Sequence, residues 1–72
     1  MKYTDYVRTL RQSIIAATKH AKSNGTDAMS ESNLQQITHF PLGAANAYMA
    51  NQAFREALQF TIDNDLLAIR IY

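Results

Sequence analysis

The chain has 72 residues, of which 47% are hydrophobic and 18% charged, and a formal net charge of +1. So short a chain makes one domain at most, spanning 1–72, with a thin core that buries only about 60% of the surface exposed on unfolding. It has no cysteine, which excludes a disulfide framework and thiolate metal sites, and its charge balance excludes a dedicated non-specific nucleic-acid binder, which is normally far more basic.

The charged share lies below the usual figure of about a quarter, so more of the surface than average is uncharged and suited to contact with a partner, a second copy included. The absence of cysteine suits a reducing compartment. The opening MKYTDYVRTLRQ carries charges close to Met1 and lacks the apolar run of a signal peptide. The uncharged stretch Phe40 to Phe54 is too rich in Ala and Asn to span a bilayer. A cytoplasmic location is expected, without membrane association.

Thr4 and Asp5 are good N-cap types ahead of Val7, Leu10, Ile14, Ala17 and Ala21, apolar at spacings of three and four and extended by Tyr3 and Tyr6. An amphipathic helix is predicted over roughly 4–23, stopped by Asn24-Gly25. After the connector GTDAMS, Ser30 reads as an N-cap with Glu31 in the first turn. Leu34 and Ile37 supply a short apolar stripe, and Pro41 ends the run by disfavouring helix at Phe40. The second helix is predicted over about 31–38.

Pro41-Leu42-Gly43 is a turn, and a third helix begins at Ala44. Its apolar face is Ala47, Ala50, Phe54, Ala57, Leu58 and Thr61, flanked by Met49, Ala53 and Phe60. So broad a face suits a central position, and Asn51 could cap internally and split the segment. Beyond the turn Asp63-Asn64-Asp65, the tail LLAIRIY changes period: Leu67, Ile69 and Ile71 alternate with Ala68, Arg70 and Tyr72, the pattern of a strand. It needs an edge to pair with. Either Thr26 to Met29 or the same strand of a second subunit can supply one. The expected fold is mainly α, three helices with a short C-terminal strand.

The order of elements in SESNLQQITHF, PLG and AANAYMANQAFREALQFTIDNDLLAIRIY resembles a winged helix-turn-helix domain over residues 26–72. The resemblance implies a minimal winged-helix-like fold whose second and third helices form a DNA-reading unit. One strand follows the third helix within these residues, and Arg55 is that helix's one Arg or Lys.

Two sets of side chains are candidates for contact. Arg8, Arg11, Lys19 and Lys22 fall on one ridge of the first helix beside Ile15, their directions spanning about 80° at about 100° per residue. Such a ridge attracts phosphates or an acidic protein, or is simply a solvated face. Asn46, Tyr48, Asn51, Gln52 and Arg55 lie on the outer side of the third helix. Asn and Gln pair with adenine and Arg with guanine in a major groove, although amides are also ordinary surface residues. The four tyrosines, at 3, 6, 48 and 72, are either interface anchors or core.

Catalytic patterns are absent. His20 and His39 have no carboxylate or second His at ligand spacing, and Asp63-Asn64-Asp65 lacks the glycine and terminal Glu of a calcium loop. No Ser sits in a nucleophile elbow, and neither Gly belongs to a phosphate loop. The expected function is that of a small regulatory DNA-binding protein of the winged-helix type, a homodimer, with no enzymatic activity, cofactor or small-molecule substrate. The alternative is a non-enzymatic inhibitor or adaptor that binds an acidic protein through the basic ridge and the tyrosines, the kind of chain phages and mobile elements encode. A third reading is a subunit of a larger assembly, joined through the tail strand by β-augmentation.

Overall fold

A computed structural model describes residues 2–38 and 47–72. Among them the fold is mainly α: α1 (Tyr3–Ser23), β1 (Ala28–Met29), α2 (Glu31–Ile37), α3 (Ala47–Asp63) and β2 (Arg70–Ile71) follow in chain order. The expected turn at Pro41-Leu42-Gly43, the helix start at Ala44, Phe40, His39, Asn46 and the Ala47 side chain lie outside the described residues.

Helix α1 buries Tyr6, Leu10, Ile14, Thr18 and Ala21 at intervals of three and four, with Val7 and Ala17 half-buried at the margin. It begins earlier than the expected caps. Lys2 is the N-cap and makes no side-chain cap bond. Thr4 and Asp5 lie inside the first turn instead, where the Asp5 carboxylate faces the positive end of the helix dipole.

Both long helices stop in the same way. In α1 the amides of Gly25 and Thr26 donate to the carbonyls of Lys22 and Ala21 at 3.0 and 2.9 Å. In α3 those of Asp65 and Leu66 donate to Ile62 and Thr61 at 3.1 and 2.9 Å. Each pair is a Schellman closure, which needs a left-handed residue at C′. Gly25 takes it with φ of 85° and Asp65 with φ of 55°. The Asp63-Asn64-Asp65 turn is therefore a helix C-cap.

Helix α2 is capped as expected, the Asn33 amide donating to Ser30 Oγ at 3.1 Å. Its inward face is Leu34 and Thr38. Ile37, expected in the stripe, is 54% exposed, because seven residues make barely two turns and only one line of side chains meets the core. Helix α3 runs unbroken through Asn51, so the possible split does not occur. Ala53, Phe54, Ala57, Leu58 and Thr61 are buried, whereas Phe60 is 42% exposed. The helix is thus buried on one side only, and its apolar surface continues past the core through the exposed Phe60 and Ile62.

The core is shared chiefly between α1 and α3, and Met29, Leu34 and Ile69 complete the same cluster. Ile14 and Leu34 are fully buried, and burial of such side chains contributes about 1.5–3 kcal/mol each. Among the described residues the three buried polar ones are threonines satisfied by helix carbonyls: Thr18 donates to Ile15 O at 2.9 Å, Thr38, the C-cap of α2, to Leu34 O at 2.7 Å and Thr61 to Leu58 O at 2.6 Å.

The tail strand finds its edge within the chain. Strands β1 and β2 are parallel, with Ala28 opposite Arg70 and Met29 opposite Ile71. Ladder geometry covers only Arg70 and Ile71, less than the alternating tail, although Ile69 is buried and Leu67 half-buried as the alternation requires. No helix among the described residues is long and apolar enough to cross a membrane.

Candidate functional site

The outer side of α3 is defined by what its inner side buries. With Ala53, Phe54, Ala57, Leu58 and Thr61 turned inward, the helical period sends Tyr48, Asn51, Gln52 and Arg55 outward along one line. All four are exposed, Tyr48 at 75%. The structure therefore brings together the described members of the expected set.

Asn51 is not free to swing. Its Oδ1 accepts from Gln35 Nε2 of α2 at 2.5 Å. Gln35, Asn51, Arg55, Glu31 and Phe54 line a small polar cleft of about 140 Å³ between the two helices. Glu31 stands at the rim of this cleft, so Arg55 looks out beside a carboxylate. The contribution of α2 to the site was not evident from residue types, because a Gln at the third helix's side is an ordinary surface residue until packing brings it there.

The expected ridge on α1 is broken up. Arg8 pairs with Asp5 at 3.5 Å, both ends largely in solvent, a contact worth about 0–1 kcal/mol. Arg11 is half-buried with its guanidinium carbon 4.1 Å from the centroid of the Phe60 ring. The aromatic face attracts the cation there, and Phe60, part of the apolar flank expected on α3, serves as its platform. Lys19 and Lys22 are exposed without an ion-pair partner among the described residues. Lys22 lies with His20 in the last turn of α1, where a cation complements the helix dipole. Of four expected contact cations, two remain directed at solvent alone. Ile15, between them, is half-buried.

Below Arg11 the two long helices are stitched a second time. The Tyr3 hydroxyl donates to Glu56 Oε2. Burial first, then the hydrogen bond and charge of Glu56, push the Tyr3 hydroxyl up to about 12. Tyr3, Val7, Arg11, Glu56 and Phe60 border a cleft of about 260 Å³ along this seam. Of the tyrosines, Tyr6 is core and Tyr3 belongs to the seam, while Tyr48 and Tyr72 stand out at 75% and 73% exposure.

Comparison with protein-family models, with curated proteins and with solved structures returns no match for this chain.

Proposed function

We propose that the chain is a non-enzymatic protein-binding module, an inhibitor or adaptor, that docks its partner through the outward line of α3. The observation that carries this is the composition of that line: Tyr48, Asn51, Gln52 and Arg55, all exposed, with a single formal charge. Protein interfaces are enriched in Tyr and Arg and depleted of other charged residues. Tyr48 supplies a large apolar ring with a polar tip, and Arg55 supplies a planar donor fork. The link from Gln35 holds Asn51 in place before binding, which reduces the ordering cost of association. The partner's surface would offer an apolar socket to Tyr48 and a carboxylate or carbonyl acceptor to Arg55.

The second reading is regulatory DNA binding by a winged-helix-like domain. It is favoured by the same amides and arginine standing on one line, with free Lys19 and Lys22 to hold phosphates. Two features weigh against it. Bidentate reading of adenine would have to share the Asn51 oxygen with Gln35, which already takes one of its two lone pairs. Arg11 is half-buried on Phe60 and Arg8 has the Asp5 carboxylate beside it, so α1 presents less positive charge to phosphates than four free cations would.

The test is capture from nuclease-treated lysate by the immobilised chain, beside titration with duplex DNA at low and physiological salt. A protein partner that persists after nuclease and is lost with Tyr48→Ala or Arg55→Ala is expected, each substitution costing about 2 kcal/mol or more at a central anchor. Duplex binding that falls steeply with salt and weakens with Arg55→Ala would transfer the function to DNA.

A further inference from the structure

Among the described residues β2 pairs with β1 on one edge only. Arg70 donates its amide to Asp27 O at 3.3 Å and Tyr72 to Met29 O at 3.0 Å, while the Tyr72 carbonyl accepts from the Glu31 amide at 2.7 Å. Backbone groups of successive strand residues point to opposite edges. Arg70 and Tyr72 therefore face β1, and the N–H and C=O of Ile71 between them face the opposite, open edge. An unpaired edge of this kind is a template for another strand.

We infer that the occupant is the same strand of a second protomer, paired antiparallel across a two-fold axis at Ile71. This inference is independent of which partner the α3 line takes. In a two-fold pair the central residue exchanges both N–H···O bonds with its copy. Ile71 then meets Ile71, and Arg70 of each chain lies opposite Tyr72 of the other. Both side chains project from one face of the strand and both are exposed, Tyr72 at 73%. A guanidinium over a phenol ring is attractive, and the two-fold makes the contact twice.

The surroundings fit the same occupant. A cleft of about 240 Å³ is lined by β2 and the end of α3, including Ile62, Asp65, Ile69 and Ile71, and by no residue of β1. Ile62 in its wall is 48% exposed, and Leu66, between the lining residues Asp65 and Leu67 in sequence, is 40% exposed. Asp65 and Arg70 carry one charge of each sign, so apposed copies can be turned without stacking like charges. An interface of ordinary size takes about 800 Å² from each partner, roughly a sixth of this chain's 4796 Å² surface. Two short strands alone do not reach that area, so Ile62 and Leu66 must be covered with them.

Sedimentation equilibrium of the full chain, from micromolar to millimolar concentration, tests the inference. The mass is expected to rise with concentration from 8.1 kDa toward twice that value. Ile71→Pro removes only an outward N–H, a position where edge strands tolerate proline, and is expected to yield a monomer. Arg70→Glu keeps the backbone edge and is expected to weaken dimerisation about tenfold or more by removing the cation over the ring. Circular dichroism of both variants establishes that the helices persist, and Arg70→Glu decides the matter if the proline variant fails to fold. A chain that stays at monomer mass throughout, or a dimer insensitive to Arg70→Glu, overturns the inference.

Discussion

The amide of Glu31 donates to the carbonyl of Tyr72 at 2.7 Å, so the tail of the chain closes the first turn of α2. That amide is one of the donors a helix start leaves without an intrahelical partner. Ser30 satisfies the Asn33 amide and the tail satisfies the Glu31 amide, and both are needed to hold a seven-residue helix. Such a helix is too short to persist without tertiary support. Deletion of residues 70–72 removes the Glu31 bond together with the Arg70 and Tyr72 amide bonds that pair the tail with β1. At about 1 kcal/mol net per bond, a loss of about 3 kcal/mol is expected in urea unfolding. Faster exchange of the Glu31 and Leu34 amides should accompany it. Unchanged exchange at Leu34 would show that α2 stands without the tail.

The two Schellman closures give opposite expectations for glycine. At Gly25 an added Cβ meets nothing within 4 Å, so Gly25→Ala is penalised only for the left-handed backbone, about 1 kcal/mol. Asp65 already bears that strain with φ of 55°. Asp65→Gly relieves it at a smaller entropic cost and is expected to stabilise by a few tenths to about 1 kcal/mol. Thermal midpoints moving in opposite directions are the outcome to look for.

Tyr3 sets an alkaline limit. Its hydroxyl, pushed up to about 12 by burial and by the Glu56 carboxylate, stays protonated in the folded chain where the unfolded chain begins to ionise. The folded value lies above the unfolded one. The stability it contributes is therefore complete below about pH 10 and is lost as pH rises through about 12. Tyr3→Phe should flatten that part of the pH–stability curve and lower stability at neutral pH by about 1 kcal/mol, through loss of the Glu56 hydrogen bond. An unaltered alkaline slope in Tyr3→Phe would assign it to another group, Tyr6 being the next to examine because burial raises it as well.

Local periodicity made the helices and the tail's alternation legible, since both are written within a few residues of chain. The pairing of the tail with residues 28–29 was one of two edges the strand pattern allowed, the other being the same strand of a second subunit, and the chain takes the internal one. The site was less legible. Arg8 and Asp5 are three apart on one helix, a spacing that signals pairing, yet the expected ridge counted Arg8 as free. Arg11 belongs to the same expected ridge, and its half-burial is not legible there because Phe60, the ring beneath it, is remote in sequence. Asn51 read as an exposed amide, and only the packing of α2 on α3 shows it tied to Gln35. The caps expected at Thr4 and Asp5 failed for a related reason. Asp5 is held inside the first turn, its carboxylate by Arg8 and its carbonyl by the Thr9 hydroxyl at 2.9 Å.

Thr18 and Thr61 are both fully buried and look equivalent, but they should respond differently to loss of the hydroxyl. Each donates to a carbonyl of its own helix, an acceptor that also serves the helix backbone. Thr18 Oγ1 in addition accepts from the Ala68 amide at 3.3 Å. Thr61 has no such second role among the described residues. Thr61→Val therefore removes a polar group and leaves no donor stranded, and a change within about 1 kcal/mol is expected. Thr18→Val strands the Ala68 amide at the edge of the core. Leaving such a donor unsatisfied costs about 1–3 kcal/mol, and the segment leading into β2 should loosen with it. Chemical denaturation of the two variants, with exchange of the Ala68 and Arg70 amides, separates them. Equal stabilities would mean that the 3.3 Å contact contributes nothing, and that β1, Ile69 and the Glu31 bond hold the tail without it.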